Sequence, residues 1–178
     1  VLAGGVGAAR LLTGLVEIVP SSEIVAVVNT ADDAVFHGLK ICPDLDTVTY
    51  TLANMHNPDA GWGLAGETWE AMLALERLGG PTWFRLGDRD LGTHLYRTGR
   101  LLAGAGLAQV TAEIARGYGV EIGVLPMSED PVATIITPVD KTEHGAEMGF
   151  QEWFVGSRHS IPVAGVQFRG AEEAQPGP

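Results

Sequence analysis

The chain opens on an apolar segment, residues 1–3, that runs into Gly4-Gly5-Val6-Gly7-Ala8-Ala9-Arg10. Leu11, Leu12, Leu15, Val16 and Ile18 then recur at helical spacing until Pro20-Ser21-Ser22 interrupts them. Ile24-Val25-Ala26-Val27-Val28 is a continuous apolar run, the pattern of a strand buried on both faces. Strand, glycine turn, helix and strand in that order predict a βαβ unit with a right-handed crossover.

Asn29-Thr30-Ala31-Asp32-Asp33 follows at the carboxyl end of the second strand. Pro43-Asp44-Leu45-Asp46 leads into a predicted helix through Val48 and Leu52, and residues 54–66 read as a loop. Trp69, Met72, Leu73, Glu76 and Arg77 fall on a helix that Gly79-Gly80-Pro81 stops. A short strand is predicted over 83–86, with a turn at Gly87-Asp88-Arg89-Asp90. Residues 91–102 and 107–116 read as two helices divided by Gly104 and Gly106. The periodicity then shifts towards alternation, and strands are predicted over 121–125, 132–137, 148–155 and 163–169, partly antiparallel.

The expected class is therefore α/β. A Rossmann-like open parallel sheet occupies 1–120, a small β-rich lobe 121–170, and a linker or truncated end 171–178. At 178 residues the chain has room for one domain, or a domain with a lobe, and 46% apolar residues suffice for a core. Its beginning inside an apolar segment and its Pro-Gly-Pro end predict an N-terminal fragment of a longer protein.

Charge narrows the function. Eleven Lys and Arg against 22 Asp and Glu give a net charge of −11, which argues against coating nucleic acid. No apolar run reaches the roughly 18 residues that span a bilayer. One cysteine, Cys42, excludes an internal disulfide framework and fits a reducing cytoplasm. Glycine, at 24 residues, is frequent enough to imply many tight turns and close backbone approaches.

The chemistry-bearing residues gather after the first two strands. Gly4, Gly5 and Gly7 stand between a strand and a helix, where free N–H groups and the helix dipole favour phosphate. Arg10 stands where the third glycine of a dinucleotide fingerprint would be, and the second strand ends in Asn29 instead of an acid. Asp32, Asp33, Asp44 and Asp46 supply oxygen ligands of the kind Mg²⁺ takes alongside phosphate. The plainer roles are a solvated turn for the first two and a helix cap for Asp44. Arg85 and Arg89 can clamp an anion, or simply form surface ion pairs, while Asp88 or Asp90 can cap the next helix. The histidines lack zinc-ligand spacing. Trp62, Trp69, Trp83 and Trp153 read as core or pocket walls, and Cys42 as a buried small hydrophobe.

Several blocks occur in a specific order: Gly4-Gly5-Val6-Gly7-Ala8-Ala9-Arg10-Leu11-Leu12, Asn29-Thr30-Ala31-Asp32-Asp33, Pro43-Asp44-Leu45-Asp46-Thr47, Leu86-Gly87-Asp88-Arg89-Asp90 and Leu125-Pro126-Met127-Ser128-Glu129-Asp130-Pro131-Val132. With Gln151-Glu152-Trp153-Phe154-Val155-Gly156 and Gly165-Val166-Gln167-Phe168-Arg169-Gly170, the chain resembles the 2-phospho-L-lactate transferase (phosphoenolpyruvate transferase) family of coenzyme F-420 biosynthesis. Ala8-Ala9-Arg10 and Arg85 are closer to its actinobacterial branch. Family members extend beyond this chain's last residue, and the remainder should hold much of the guanosine pocket.

The resemblance implies transfer of a phospholactyl or phosphoenolpyruvyl group from a guanosine diphosphate ester. The acceptor is the ribityl hydroxyl of 7,8-didemethyl-8-hydroxy-5-deazariboflavin, and GMP is released. It implies Mg²⁺, a cytoplasmic homodimer and small-molecule substrates, with no nucleic acid and no membrane. It places the deazaflavin near Asp46 and Arg85, and the donor phosphates near Gly4, Gly5, Gly7, Arg10, Asn29 and Thr30. Asp46 and Asp33 are the candidate catalytic carboxylates, and one or two of Asp32, Asp33, Asp44 and Asp46 are the candidate metal ligands. The donor acid stays open between lactate, enolpyruvate and glycerate. Two rivals are a non-catalytic nucleotide-sugar-binding regulator of a related family and an NAD(P) or flavin oxidoreductase. The Pro-Asp-Leu-Asp-Thr and Leu-Gly-Asp-Arg-Asp blocks favour the transferase.

Overall fold

The computed structural model describes residues 1–59 and 61–177. Ala60, within the loop predicted over 54–66, and Pro178, at the end of the predicted linker, lie outside the described residues. Strand β1 (Leu2–Ala3) leads through Gly4 into helix α1 (Gly5–Leu15). A 3₁₀ turn (Ser21–Glu23) precedes β2 (Val25–Val28). A hairpin of β3 (Ala34–Phe36) and β4 (Leu39–Ile41) comes before α2 (Pro43–Leu52). Helices α3 (Glu70–Arg77), α4 (Asp88–Leu102) and α5 (Leu107–Gly117) follow. Then come β5 (Gly123–Pro126), β6 (Ala133–Pro138), a short α6 (Lys141–His144), β7 (Met148–Gly149) and β8 (Val163–Arg169).

The architecture is α/β, as the pattern predicts. β2 lies between β1 and β5 in a parallel sheet, with Ala3 opposite Val28 and Val28 opposite Pro126. β5 therefore belongs to the parallel sheet and not to the β-rich lobe, so the sheet extends past residue 120. The lobe proper is the antiparallel sheet β7-β6-β8. β2 alternates in burial instead of being covered on both faces: Ala26 and Val28 are fully buried, while Val25 is exposed. Ala9 and Leu12 of α1, Leu45 and Val48 of α2, and Leu107 and Ala115 of α5 join these strand residues in the main core.

Four local features depart from the sequence pattern. Gly5 to Gly7 form the first helical turn of α1, not a separate loop, and Gly5 enters it at φ 60°. His37 and Gly38, both at positive φ, make the tight turn of the unpredicted β3–β4 hairpin. Residues 83–86 form no strand, bending at Trp83 and Phe84; Phe84 and Leu86 are buried beside Ile41 and Met72. Only Met148 and Gly149 of the predicted 148–155 strand are in the ladder, and Glu152–Gly156 coils into a π-helical turn.

The lobe is fastened to the acidic turn. Thr134 N–H donates to Ala31 O at 2.7 Å, and Gln151 Nε2 donates to Asp32 O at 3.4 Å. Residues 171–177 fold back onto the β5–β6 connection, where Gln175 N–H donates to Asp130 and Gly177 N–H to Met127 O. Among the described residues no helix is long and apolar enough to cross a membrane.

Candidate active site

A cleft of about 590 Å³ opens where the carboxyl end of β1, the start of α2, the 83–86 segment and the π-helical turn meet. This is the edge of an open parallel sheet at which ligands gather. The cleft wall includes an acidic turn organised by Asn29. Its Oδ1 accepts from Ala31 N–H at 3.1 Å, and its Nδ2 donates to Asp32 Oδ2 at 3.2 Å and Asp44 Oδ2 at 2.8 Å. Asp44 also accepts from Gly5 N–H, so its carboxylate lies against the first turn of α1. Burial pushes both carboxyls up, Asp44 further because of Asp32. Neither has a cationic partner among the described residues.

The middle of the floor is set by α2 and α4. Pro43 at the first helical position and Asp44 and Asp46 in the first turn suit a helix start, through fixed φ and the dipole. Asp46 points down, and both of its oxygens accept from Arg97, which is 2% exposed. Arg97 Nη1 also meets His94 Nδ1 at 3.2 Å, and His94 Nε2 lies 3.2 Å from Asp90 Oδ2. The Tyr50 hydroxyl donates to Asp90 Oδ1 at 2.6 Å. Burial opposes the charge on Arg97, but the Asp46 carboxylate outweighs it and raises the guanidinium further. For Asp90, burial is outweighed by His94, Tyr50 and Arg97, and the carboxyl falls below its ordinary value. Burial and the Asp46 and Asp90 carboxylates push the Tyr50 phenol far up, so it stays a donor.

Aromatic side chains form a further part of the wall. Phe84, Phe150 and Phe154 line the cleft with Val155 and Ile41, and the exposed Trp62 contributes to the lining. Phe150 and Phe154 stack with ring centroids 5.5 Å apart and planes 8° from parallel. Arg85 lines the same cleft, with its guanidinium 4.5 Å from the centroid of Trp69.

Of the residues singled out from the sequence, Gly4, Gly5, Asp32, Asp44, Asp46 and Arg85 line this cleft. Asn29 lies behind its two carboxylates. Gly7 and Arg10 are exposed on α1 and do not line it, and Thr30 is buried with its hydroxyl unpartnered. Asp33 turns away: it pairs with Lys40 at 3.0 Å and faces a separate cavity of about 200 Å³ beside the antiparallel sheet. The four aspartates thus divide into two paired with cations, Asp33 and Asp46, and two that share Asn29. No group of three metal-ligating side chains occurs among the described residues. Arg89 donates to Ala65 O at 2.5 Å and does not line the cleft. Trp62, Trp69 and Trp83 are exposed and not core, though Trp62 is a wall of the cleft and Trp83 of the smaller cavity, whereas Cys42 is fully buried and free.

Sequence reasoning missed Tyr50, Asp90 and His94, which line the cleft, and Arg97, which is buried behind Asp46. A signal existed. Asp90, His94 and Arg97 recur at four and three residues on one face of a helix, as do Asp46 and Tyr50 on another. Polar groups that follow an inward stripe must satisfy one another.

The family model described as 2-phospho-L-lactate transferase CofD matches residues 1–178. A phosphoenolpyruvate transferase from Nocardia farcinica is 43% identical over 181 residues, covering 100% of this chain and 54% of that protein. One from Streptomyces avermitilis is 44% identical over 179 residues, covering 100% and 56%. One from Mycobacterium tuberculosis is 42% identical over 191 residues, covering 98% and 57%. The chain thus spans about half the length of these relatives. A crystal structure of a UPF0052-family protein from Bacillus halodurans superposes with a TM-score of 0.54 at 20% identity, covering 98% of this chain and 51% of that one; it shares the fold.

Proposed function

The chain belongs to the 2-phospho-L-lactate transferase CofD family, and from this we propose that it carries the acceptor-binding half of a transferase acting in coenzyme F-420 biosynthesis. The reaction is transfer of a phospholactyl or phosphoenolpyruvyl group from a guanosine diphosphate ester to the ribityl hydroxyl of 7,8-didemethyl-8-hydroxy-5-deazariboflavin. The observation that carries the reading is the make-up of one cleft: aromatic side chains fit for a flat ring, and carboxylates at a helix N-terminus fit for phosphate with a cation.

In this reading the ring system lies along Phe84, Phe150 and Phe154, with Arg85 at its polar edge. The terminal hydroxyl comes beside Asp46, which accepts its hydrogen bond. The hydroxyl oxygen forms a bond to the phosphorus that bears the acid, the bond to the GMP oxygen breaks, and the hydroxyl proton passes to carboxylate. Phosphoryl transfer of this kind depends on positioning and charge neutralisation more than on a covalent nucleophile.

Asp32 and Asp44 are the pair that fits a divalent ion, because they face each other across Asn29 and have no cation of their own. Mg²⁺ bound there would supply neutralisation of the donor phosphates. Asp44 lies over Gly4 and Gly5 and takes the Gly5 N–H, so in this reading the donor phosphate meets the first turn of α1 with the ion between it and the acids. Asp33, turned to the other cavity, has no part in the step. The setting proposed is cytoplasmic, and the assembly a homodimer.

The test is product analysis of the full-length protein with the deazaflavin alcohol and each guanosine donor, bearing lactate, enolpyruvate or glycerate. A phosphodiester product together with stoichiometric GMP is expected from at least one donor. No product from any of them would reject the reading.

A further inference from the structure

The floor of the cleft carries a second carboxylate. Arg97 sits beneath it, and a guanidinium only donates. His94 Nδ1, 3.2 Å from Arg97 Nη1, is therefore the acceptor, and the imidazole proton is on Nε2. Nε2 faces Asp90 Oδ2 at 3.2 Å, too far off line to count as a full hydrogen bond. Tyr50 holds the other Asp90 oxygen at 2.6 Å. Asp46 is gripped at both oxygens by Arg97. Both carboxylates are thus fixed from behind, and the side-chain exposure they keep, 8% for Asp46 and 15% for Asp90, opens into the cleft.

We propose that Asp90 is a second substrate-binding carboxylate beside Asp46, and that Arg97 is the positioning residue that sets the pair. The proposal rests on the reading of the cleft as the site of an aromatic alcohol, and says which part of that alcohol is read. Two fixed carboxylates offer acceptors only, so they select a ligand that presents several hydroxyl donors, such as a polyol chain attached to the ring. They disfavour a phosphate at the same place through like charge. The floor therefore orients both substrates: hydroxyls over Asp46 and Asp90, and phosphates towards Gly5.

The test is fluorescence titration of the full-length protein with two probes, the deazaflavin carrying its ribityl chain and an analogue with an alkyl chain of equal length. Wild type should bind the hydroxylated probe more tightly. Asp90→Asn keeps an oxygen for Tyr50 and should fold. It should weaken the hydroxylated probe by about tenfold, the loss of one hydrogen bond to a charged group, and leave the alkyl probe unchanged. Arg97→Lys should show the same selective loss with unchanged affinity for the guanosine donor, a split that general destabilisation would not produce. If Arg97→Lys does not fold, Asp90→Asn decides alone. Wild-type binding of neither probe overturns the reading of the cleft and this proposal with it. Tight wild-type binding that Asp90→Asn leaves intact for both probes overturns the proposal and spares that reading.

Discussion

Asp44 closes on Gly5. A Cβ placed at Gly5 would lie 3.3 Å from Asp44 Oδ1, and the Gly5 N–H hydrogen-bonds that carboxylate. The N–H groups suited to a donor phosphate thus face an acid that repels one, and Asp32 adds a second negative charge beside it. A divalent ion shared by Asp32, Asp44 and phosphate resolves this conflict. EDTA should therefore abolish turnover of the full-length protein, and added Mg²⁺ should restore it. Asp32→Asn and Asp44→Asn should each lower kcat by about 10²- to 10³-fold, the usual scale for lost charge stabilisation. Activity that survives EDTA would remove the metal from the account.

The aromatic wall gives a separate prediction. Arg85 stacks on Trp69 and is held at the rim of the cleft. Arg85→Ala and Asp46→Asn should each weaken deazaflavin binding while donor binding changes little. Phe154→Ala, which removes a half-exposed ring from the wall, should weaken it by about one order of magnitude, as loss of a stacking partner does. Equal deazaflavin titration curves for wild type and all three variants would move the ring elsewhere.

How much of this was legible in the chain depended on what each residue answers to. The parallel strands and α2, α3 and α5 follow from local apolar runs, Pro43 and the glycine stops. The glycine turn, Asp44 and Asp46 could be placed because they fall at strand and helix ends, where chain direction alone brings them to one sheet edge. Asp33 could not, because it sits just ahead of the unforeseen hairpin, and Lys40 from that hairpin captures it. Arg97 escaped for another reason. Its partner Asp46 is 51 residues away, and the spacing it shares with Asp90 and His94 marks a common helix face without saying that the face is buried. Residues 83–86 have strand composition, but strand identity needs a neighbouring edge, which the fold does not supply.

Helices α3 and α4 exchange caps. Glu67, just ahead of α3, accepts from Arg89 and Asp90 N–H at 2.7 and 2.8 Å; Asp88, in the first turn of α4, accepts from Glu70 and Ala71 N–H at 2.9 and 3.0 Å. Thr68 and these amides hold the Asp88 carboxyl below its ordinary value. The exchange fixes where α4 begins, and so the register of Asp90, His94 and Arg97. Glu67→Ala should cost about 1 kcal/mol of unfolding free energy, the scale of a lost cap. In a double-mutant cycle with Asp88→Ala the two losses should not add, because the caps share one backbone junction. Strict additivity in chemical unfolding would show that they act independently.

Asp33 makes stability depend on pH in the direction opposite to that of an ordinary salt-bridged acid. Burial pushes its carboxyl up from 3.8 to about 6, and Lys40, 3.0 Å away, offsets only part of that. In the unfolded chain the group titrates near its ordinary value. Between the two values the folded protein holds the proton and the unfolded chain does not, so unfolding releases a proton. The contribution is fully present below the unfolded value and is lost as pH rises through about 6. Its size is on the order of 2–3 kcal/mol across that window. Asp33→Asn removes the titration while keeping the shape. Urea unfolding from about pH 4 to 7 should show a wild-type decline with rising pH that the variant lacks, the two chains differing most at the upper end. A variant that declines in parallel with wild type would mean that the Lys40 ion pair keeps Asp33 charged throughout.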